Sequence, residues 1–179
     1  MIKRVCVFCG SSIGARPVYA EAAASLARLL VERKIGIVYG GSSAGLMGIL
    51  ADAALQAGGE VTGVIPRSLV AMEIAHRGLS DLRIVESMHE RKALMADLSD
   101  AFIAMPGGYG TLDEFCEVLT WNQLGLLRKP CGILNTDGYF DDLLRLFDRA
   151  VEERFLKTAN RKLALSAASP EDLLHKLTP

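Results

Sequence analysis

The segment RVCVFCGSSIGARPVYAEAAASLARLLVERKIGIVY (residues 4–39) reads as a strand, a helix and a second strand. Its two ends, Arg4–Cys9 and Gly36–Tyr39, are short and mostly apolar, as strands buried on both faces are. Between them, Pro17–Arg33 carries an apolar stripe at helical spacing, formed by Val18, Ala22, Leu26, Leu29 and Leu30. A helix between two buried strands predicts parallel strands joined by a crossover.

The same alternation continues to the end of the chain. Further strands are predicted at Val61–Ile65, Leu82–Val85, Ala101–Met105, Cys131–Leu134 and Leu163–Ser166. Further helices are predicted at Ala44–Ala57, Met88–Leu98, Leu112–Leu124, Tyr139–Glu152 and Pro170–Lys176. This pattern predicts a Rossmann-like, doubly wound α/β fold: a parallel sheet with helices on both faces, in a single domain over residues 1–179. Because such sheets bind ligands beyond the carboxyl ends of their strands, the loops at those ends should carry the function.

Composition and charge narrow the class of protein. The chain has 179 residues, of which 50% are apolar and 23% charged, and its formal net charge is −1. No basic surface for nucleic acid or an anionic membrane is expected from that balance. No apolar run has the length of a membrane span, and the N-terminus lacks the apolar segment of a signal peptide. We therefore expect a cytoplasmic protein with reduced cysteines.

The cysteines offer one motif with a chemical reading. Cys6 and Cys9 form a C-x-x-C, which is found in redox and zinc sites. They lie in one predicted strand, however, where residues three apart point to opposite faces. Cys116 and Cys131 are too far apart in the sequence to form a second such pair. We predict neither a metal site nor a disulfide.

Four predicted strands end in loops of similar chemical character. The loops are Cys9–Ser12, Gly40–Gly48, Glu86–Lys92 and Pro106–Glu114. Glycine lets backbone N–H groups approach a ligand, and the helix N-terminus that follows favours an anion. The Gly-Lys-Ser/Thr ending of a P-loop is absent, as is a G-x-G-x-x-G after the first strand. The loops predict a site for a phosphate-bearing ligand, with Ser12 and Gly41 among its candidate contacts.

Two of these loops also match a helix-capping pattern. Ser87–Glu90 and Thr111–Glu114 both fit the S/T-x-x-E capping box, and for Glu90 we favour that structural role. Arg91 and Lys92 would stand in the first turn of a helix, where the macrodipole disfavours cations. They indicate an anionic ligand, Arg91 more strongly than Lys92. Glu114 could cap its helix or face a developing positive charge, and the pattern alone leaves both open.

Three motifs together resemble the "lonely guy" (LOG) family. Residues 106–114, PGGYGTLDE, match its P-G-G-x-G-T-x-x-E signature, residues 88–92, MHERK, resemble its second signature, and residues 40–48 resemble its glycine turn. The resemblance spans essentially the whole chain. It implies a 5′-monophosphate phosphoribohydrolase that releases adenine or an N6-substituted adenine (a cytokinin base) and ribose 5-phosphate. It also implies a homodimer and no cofactor.

The resemblance assigns roles to individual positions. The catalytic pair would be Arg91 and Glu114. The resemblance also implies substrate contacts at ten further positions: Glu73, Lys92, Gly107, Gly108, Tyr109, Gly110, Thr111, Leu112, Asp113 and Thr120. Asp113 departs from the family pattern, in which glutamate is frequent, and this leaves the catalytic assignment intact. The apolar character of residues 66–80 suggests room for a hydrophobic N6 group.

Three other readings compete with this one. Proteins with the signature are sometimes labelled lysine decarboxylases, yet no lysine here lies in an apolar, pocket-like setting of the kind that pyridoxal phosphate needs. A carrier that binds a nucleotide or a cofactor precursor without turnover is the main alternative, but it would not need both Arg91 and Glu114. His76 and His89 could protonate a leaving base, and we favour surface or helix-terminal roles for both.

Overall fold

The sheet of the computed structural model, which describes residues 1–70, 75–79 and 81–178, confirms the predicted fold class. Seven parallel strands lie in the order β4-β3-β2-β1-β5-β6-β7. Their bounds are β1 Arg4–Phe8, β2 Gly36–Tyr39, β3 Val61–Pro66, β4 Asp81–Val85, β5 Ala101–Ala104, β6 Cys131–Leu134 and β7 Ala164–Ala167. Every predicted strand is present, and β2 and β6 match at both ends.

The helices differ from the prediction mainly where they begin. Their bounds are α1 Pro17–Glu32, α2 Gly45–Gln56, α3 Arg67–Val70, α4 Met88–Asp97, α5 Tyr109–Gln123, α6 Asp141–Glu152, α7 Thr158–Arg161 and α8 Pro170–Leu177. The predicted start of α5 at Leu112 is wrong, because Gly108 is its N-cap and the helix begins directly after it. The predicted start of α6 at Tyr139 is also wrong, because Thr136–Gly138 form a separate 3₁₀ turn with Asp137 at a positive φ of 52°. The helices α3 and α7 were not predicted, since four residues are too few to show a period.

Two apolar layers cover the sheet, one on each face. On one face α1, α2 and α8 pack against Val5, Val7 and Cys9 of β1 and its extension. On the other, α4 and α5 pack against Cys6 and Phe8. The two cysteines of the C-x-x-C therefore lie on opposite faces, as the strand period predicts. No helix within the described residues has the length and apolar character needed to cross a membrane.

The direction of the strand order reverses beside β1. β1 pairs with β2 on one side and with β5 on the other, and Val5 is the register partner of both Ile37 and Ala101. The loops after β1 and β5 consequently diverge, one towards α1 and the other towards α5. A crevice opens at such a switch point, beyond the carboxyl ends of the strands.

Candidate active site

A cleft of about 120 Å³ occupies this switch point. Its walls come from the ends of β1 and β2 and from the N-terminal turns of three helices. The lining residues are Val7, Cys9, Gly10, Ser11, Gly40, Met47, Arg91, Gly110, Thr111 and Glu114. The cleft thus brings together the two residues that the sequence singled out as a catalytic pair, Arg91 from α4 and Glu114 from α5.

Arg91 is held in the wall of the cleft by a hydrogen bond to the backbone of the loop after β2. Its side chain is only 6% exposed, and its Nη2 donates to the Gly40 carbonyl oxygen over 3.2 Å. A Cβ at position 40 would lie 2.1 Å from that nitrogen, so a side chain there would displace the guanidinium group from its place in the wall. The Arg91 Nε is buried and has no hydrogen-bond partner in the part of the chain that the structure describes. A buried cation with a spare donor favours an anionic or strongly polar ligand.

The start of α4 explains how Arg91 comes to lie there. Ser87 is the N-cap, and its Oγ accepts from the Glu90 backbone N–H over 3.1 Å. The Glu90 carboxylate accepts from the Glu86 N–H over 2.8 Å. The structural role favoured for Glu90 is confirmed, with the small difference that it reaches one residue before the N-cap. The capped turn fixes Arg91 in the wall of the cleft.

Glu114 lies in the second turn of α5, not at its start. Since the helix begins at Tyr109, Thr111 cannot be an N-cap, and the capping-box reading of Thr111–Glu114 is wrong. Burial raises the pKa of the Cys9 thiol well above its ordinary value, and the negative charge of Glu114 raises it further. Cys9 and Glu114 both line the cleft, and the Glu114 carboxylate disfavours the thiolate form of Cys9.

The first turn of α5 offers an open helix N-terminus. Among the residues that the structure describes, no side chain caps it, and a Cβ at either Gly108 or Gly110 would meet no heavy atom within 4 Å. Tyr109 is 93% exposed, while Thr111 is buried with its hydroxyl over Gly107. Backbone N–H groups at such a helix start, together with the macrodipole, favour a bound anion.

The glycine turn before α2 behaves differently. The backbone N–H groups of Leu46 and Met47 donate to the Gly10 carbonyl oxygen, over 3.0 and 3.4 Å. The N-terminus of α2 is therefore engaged with the loop after β1, and Gly45 packs directly on the backbone of Ser11. Of the two glycine-rich helix starts in the sequence, the one before α5 is left for a ligand.

Two candidate contacts from these loops lie outside the cleft lining. Gly41 is buried with a φ of +78° and packs against Val64 and Ile65 of β3, so that Gly40 lines the cleft in its place. Ser12 is exposed, and its neighbour Ser11 contributes to the lining. Substrate contact by either residue stays a prediction. The sequence could not show which glycine of Gly40 and Gly41, or which serine of Ser11 and Ser12, faces the cleft, because the two members of each pair are the same residue type.

Lys92 joins α4 to α5 through two ion pairs. Its Nζ lies 3.2 Å from Asp113 Oδ2 and 3.1 Å from Glu117 Oε1. Partial burial lowers the pKa of Lys92, but the two carboxylates outweigh that effect and the net shift is upward. The role of Glu117 was missed from the sequence, although the i, i+4 spacing of Asp113 and Glu117 was a signal for one shared partner.

Three further residues, Leu112, Thr120 and Glu73, were predicted to contact the substrate, and neither Leu112 nor Thr120 is among the residues that line the cleft. Leu112 packs with the apolar layer beneath α5 rather than facing the cleft. Thr120 lines a separate groove between α5, α6 and α7, and its hydroxyl donates to the Cys116 carbonyl oxygen over 2.7 Å. Glu73 lies outside the described residues. For these three, the prediction of substrate contact stays a prediction.

His76 and His89 both lie outside the lining of the cleft. His76 Nε2 lies 2.9 Å from Asp52 Oδ1, and its Nδ1 accepts from the Gly78 N–H, so Nε2 carries the proton towards the carboxylate. His89 is exposed on α4. Within residues 1–70, 75–79 and 81–178, no group of three His, Cys, Asp or Glu side chains is arranged to hold a metal ion.

Comparison with known proteins adds independent findings. A family model described as "Possible lysine decarboxylase" matches residues 47–177. The chain is 51% identical to the cytokinin riboside 5′-monophosphate phosphoribohydrolase LOG7 of Arabidopsis thaliana, over 98% of this chain and 81% of that protein. It is 53% identical to the probable cytokinin riboside 5′-monophosphate phosphoribohydrolase LOGL9 of Oryza sativa subsp. japonica, over 98% of this chain and 77% of that protein.

Solved structures share the fold at lower identity. The molybdenum cofactor binding protein of Rippkaea orientalis superposes with a TM-score of 0.71 at 23% identity, covering 98% of this chain and 95% of that one. The molybdenum cofactor carrier protein of Chlamydomonas reinhardtii gives 0.73 at 18% identity, covering 98% and 96%. At these identities the likeness establishes the fold alone. The relatives from Arabidopsis thaliana and Oryza sativa are more than 50% identical to this chain over 98% of its length, and this similarity shows that the chain belongs to the LOG family of cytokinin riboside 5′-monophosphate phosphoribohydrolases.

Proposed function

We propose that this protein hydrolyses the N-glycosidic bond of adenosine-type 5′-monophosphates, N6-substituted cytokinin nucleotides above all, and releases the free base and ribose 5-phosphate. The observation that carries the proposal is the meeting of Arg91 and Glu114 in one cleft at the switch point of the sheet. A cation and a carboxylate at the mouth of an open helix N-terminus suit a substrate with a phosphate at one end and a cationic transition state at the other.

Glu114 is proposed to act on the ribose. Cleavage of a glycosidic bond passes through an oxocarbenium-like state, in which positive charge grows on the sugar ring. The carboxylate of Glu114 would stabilise that charge and orient the attacking water. The water oxygen bonds to ribose C1′ as the bond from C1′ to the base nitrogen breaks. The departing base takes up a proton, and the water gives one up.

Arg91 is proposed to orient the substrate. One of its terminal nitrogens is engaged with Gly40, while its buried Nε has no partner within the described residues. That donor and the remaining guanidinium N–H groups would hold the phosphate or the ribose hydroxyls. Fixing the non-reacting part of the substrate aligns the scissile bond with Glu114, which is how remote binding energy lowers a chemical barrier.

The phosphate is proposed to bind at the first turn of α5. Gly107, Gly108, Tyr109, Gly110 and Thr111 would supply the backbone N–H groups. The neighbouring pair of Lys92 and Asp113 would fix α5 relative to Arg91. Because the net charge of the chain is close to neutral, this local geometry rather than a broad basic field must select the anion.

Pyridoxal phosphate chemistry does not fit the residues present. Lysine decarboxylation with that cofactor needs a lysine whose amine can become neutral and form a Schiff base. No lysine lines the cleft as the structure describes it. Lys92, next in sequence to Arg91, is paired with two carboxylates, and its pKa is raised rather than lowered.

We further propose a cytoplasmic homodimer. Three of the four free cysteines are buried thiols, which suits a reducing compartment. The groove beside Thr120 has an apolar wall that includes Leu119, Phe147 and Phe155, and Phe155 is 90% exposed. Exposed apolar surface of this kind supports an association between copies. Light scattering on the purified protein would measure the mass, and a monomer at micromolar concentration would refute the proposal.

Base release is the direct test of the enzymatic proposal. The purified protein is incubated with AMP, isopentenyl-AMP and the two matching ribosides, and free base is quantified by chromatography. We expect release from the monophosphates and not from the ribosides. Glu114→Gln should lower the rate by roughly 10²-fold or more.

Glu32→Gln is the matched control, since it removes the same charge from the exposed C-terminal turn of α1 at the opposite edge of the sheet. Nucleotide binding without base release from any of the four compounds would instead support a non-catalytic carrier. The ratio of the AMP and isopentenyl-AMP rates would define the preferred base.

A further inference from the structure

The loop that carries the glycine signature is held from outside by a tyrosine on another loop. Tyr139 follows the 3₁₀ turn after β6, and its hydroxyl donates to the Gly107 carbonyl oxygen over 2.7 Å. Gly107 lies between β5 and α5, directly before the N-cap Gly108. This is a hydrogen bond between two loops that meet at the carboxyl edge of the sheet, and it reaches the backbone of the proposed phosphate site.

The Tyr139 ring is itself fixed by aromatic packing. It lies edge-on to Tyr19 with the ring centroids 5.7 Å apart, and edge-on to Phe140 at 4.9 Å. Arg16 stacks over the Tyr19 ring at 5.3 Å and forms an ion pair with Asp137. The segment before α1 and the turn after β6 are therefore joined, and the Tyr139 hydroxyl has a fixed position from which to reach Gly107.

Peptide geometry gives this bond a consequence on the opposite side of the loop. In a trans peptide the carbonyl of one residue and the N–H of the next point in opposite directions. With the Gly107 carbonyl directed at Tyr139, the Gly108 N–H must point away from it. Gly107 itself is closely packed, because a Cβ there would lie 2.1 Å from Thr111 Oγ1 and 2.8 Å from the Gly10 nitrogen. Close packing at Gly107 restricts rotation of the peptide, whereas Gly108 adjoins open space.

We infer that Tyr139 is a positioning residue, which orients the Gly107–Gly108 peptide so that the Gly108 N–H donates to the substrate phosphate. The inference rests on the proposed function, because it takes the first turn of α5 to be the phosphate site. Tyr139 does not touch the substrate. Its effect passes through the backbone, so it should alter the affinity for the phosphate and leave the chemistry of the glycosidic bond alone.

The test compares Tyr139→Phe with Tyr19→Phe. Both variants lose one hydroxyl from the same aromatic packing, and the Tyr19 hydroxyl makes no hydrogen bond within the described residues. Affinities for ribose 5-phosphate, AMP and adenosine are measured by calorimetry, and kcat and KM by base release. Tyr139→Phe should weaken the two phosphorylated ligands by about three- to tenfold, the effect of one hydrogen bond. It should leave adenosine affinity and kcat unchanged, and Tyr19→Phe should match the wild type throughout.

The possible results separate the two proposals. Equal weakening of phosphorylated and neutral ligands, or no weakening at all, would overturn the role of Tyr139 while base release by the wild type kept the function intact. If the wild type released no base, a selective loss of phosphate affinity in Tyr139→Phe would still support the positioning role, and the hydrolase proposal alone would fail. Absence of binding by any 5′-phosphate compound to the wild type would overturn both.

Discussion

Replacing Gly48 and Gly110 by alanine, one at a time, should separate stability from ligand binding. Both glycines lie in helices, where the exchange to alanine ordinarily stabilises by about 1 kcal/mol. Their surroundings are opposite. A Cβ at position 48 would lie 2.0 Å from the Ser43 carbonyl oxygen, far short of the 3.4 Å at which ordinary contact begins. A Cβ at position 110 would meet no heavy atom within 4 Å, and Gly110 lines the cleft.

The expected magnitudes follow from these distances. At Gly48 the backbone must move to admit the methyl group, which costs about 3 kcal/mol as overpacking does. Offset by the helix preference, the net loss is about 2 kcal/mol, and Tm should fall by about 4–8 °C for a chain of this size. Gly110→Ala should keep or slightly raise Tm. Its methyl group would occupy the proposed phosphate site, so kcat/KM for a 5′-monophosphate should fall by about tenfold or more.

Thermal unfolding by circular dichroism and base release by chromatography measure the two effects on the same preparations. A Gly48→Ala protein that melts at or above the wild-type temperature would refute the close approach of α2 to residue 43. A Gly110→Ala protein with unaltered kinetics would show that the substrate does not lie against the first turn of α5. Either result alone would contradict the reasoning for that glycine and leave the other standing.

Three further predictions concern charged side chains. Arg91→Lys should lower kcat/KM by about 10²-fold or more, because a lysine has no planar group that can donate to the Gly40 carbonyl and to the ligand at the same time. Arg28→Lys on the exposed face of α1 is its control, and an equal loss in both variants would contradict the role. The pKa of Lys92 is raised above 10.5, since two carboxylates outweigh the lowering effect of burial. Its ion pairs therefore stabilise the fold fully below that pH and are lost as pH rises through the raised value. Urea unfolding should show a larger deficit for Lys92→Met at pH 8 than near pH 11, and the reverse order would contradict the pairing. The pKa of Asp100 is lowered from 3.8: burial raises it, but hydrogen bonds from two backbone N–H groups of the N-terminal segment outweigh that effect. This contribution is present above pH 3.8 and is lost as pH falls through the lowered value, so the deficit of Asp100→Asn at pH 7 should vanish near pH 2.

The fold was predictable because its signals are local. Apolar strands of four to six residues and a helical stripe such as that of Pro17–Arg33 depend on near neighbours in the sequence. The start of α5 was misplaced for a physical reason: Thr111 looked like a cap by residue type, whereas the backbone uses Gly108, whose role depends on the turn it makes after β5. The residue type indicates which residues are able to cap a helix, and the tertiary structure determines which of them does so.

The site was predictable in its charges and not in its contacts. The unfavourable position of Arg91 in a helix first turn pointed to an anion, and the structure gives it a buried place in the cleft wall. Its partner, the Gly40 carbonyl, could not have been found from the sequence, because backbone acceptors have no residue signature. The same holds for the Gly10 carbonyl, which engages the start of α2 and leaves α5 for the ligand.

The pairing of β1 with β5 has a consequence for the folding of the chain. Val5 pairs with Ala101, half the chain away, and the pairing places an apolar strand at the middle of the sheet. During synthesis β1 emerges first and can pair with β2, but its other edge stays open until β5 has been made. An open apolar edge is a template for pairing with another chain, and contacts distant in sequence form slowly. Refolding yield should therefore fall steeply with protein concentration, and the cleft should be among the last features to form.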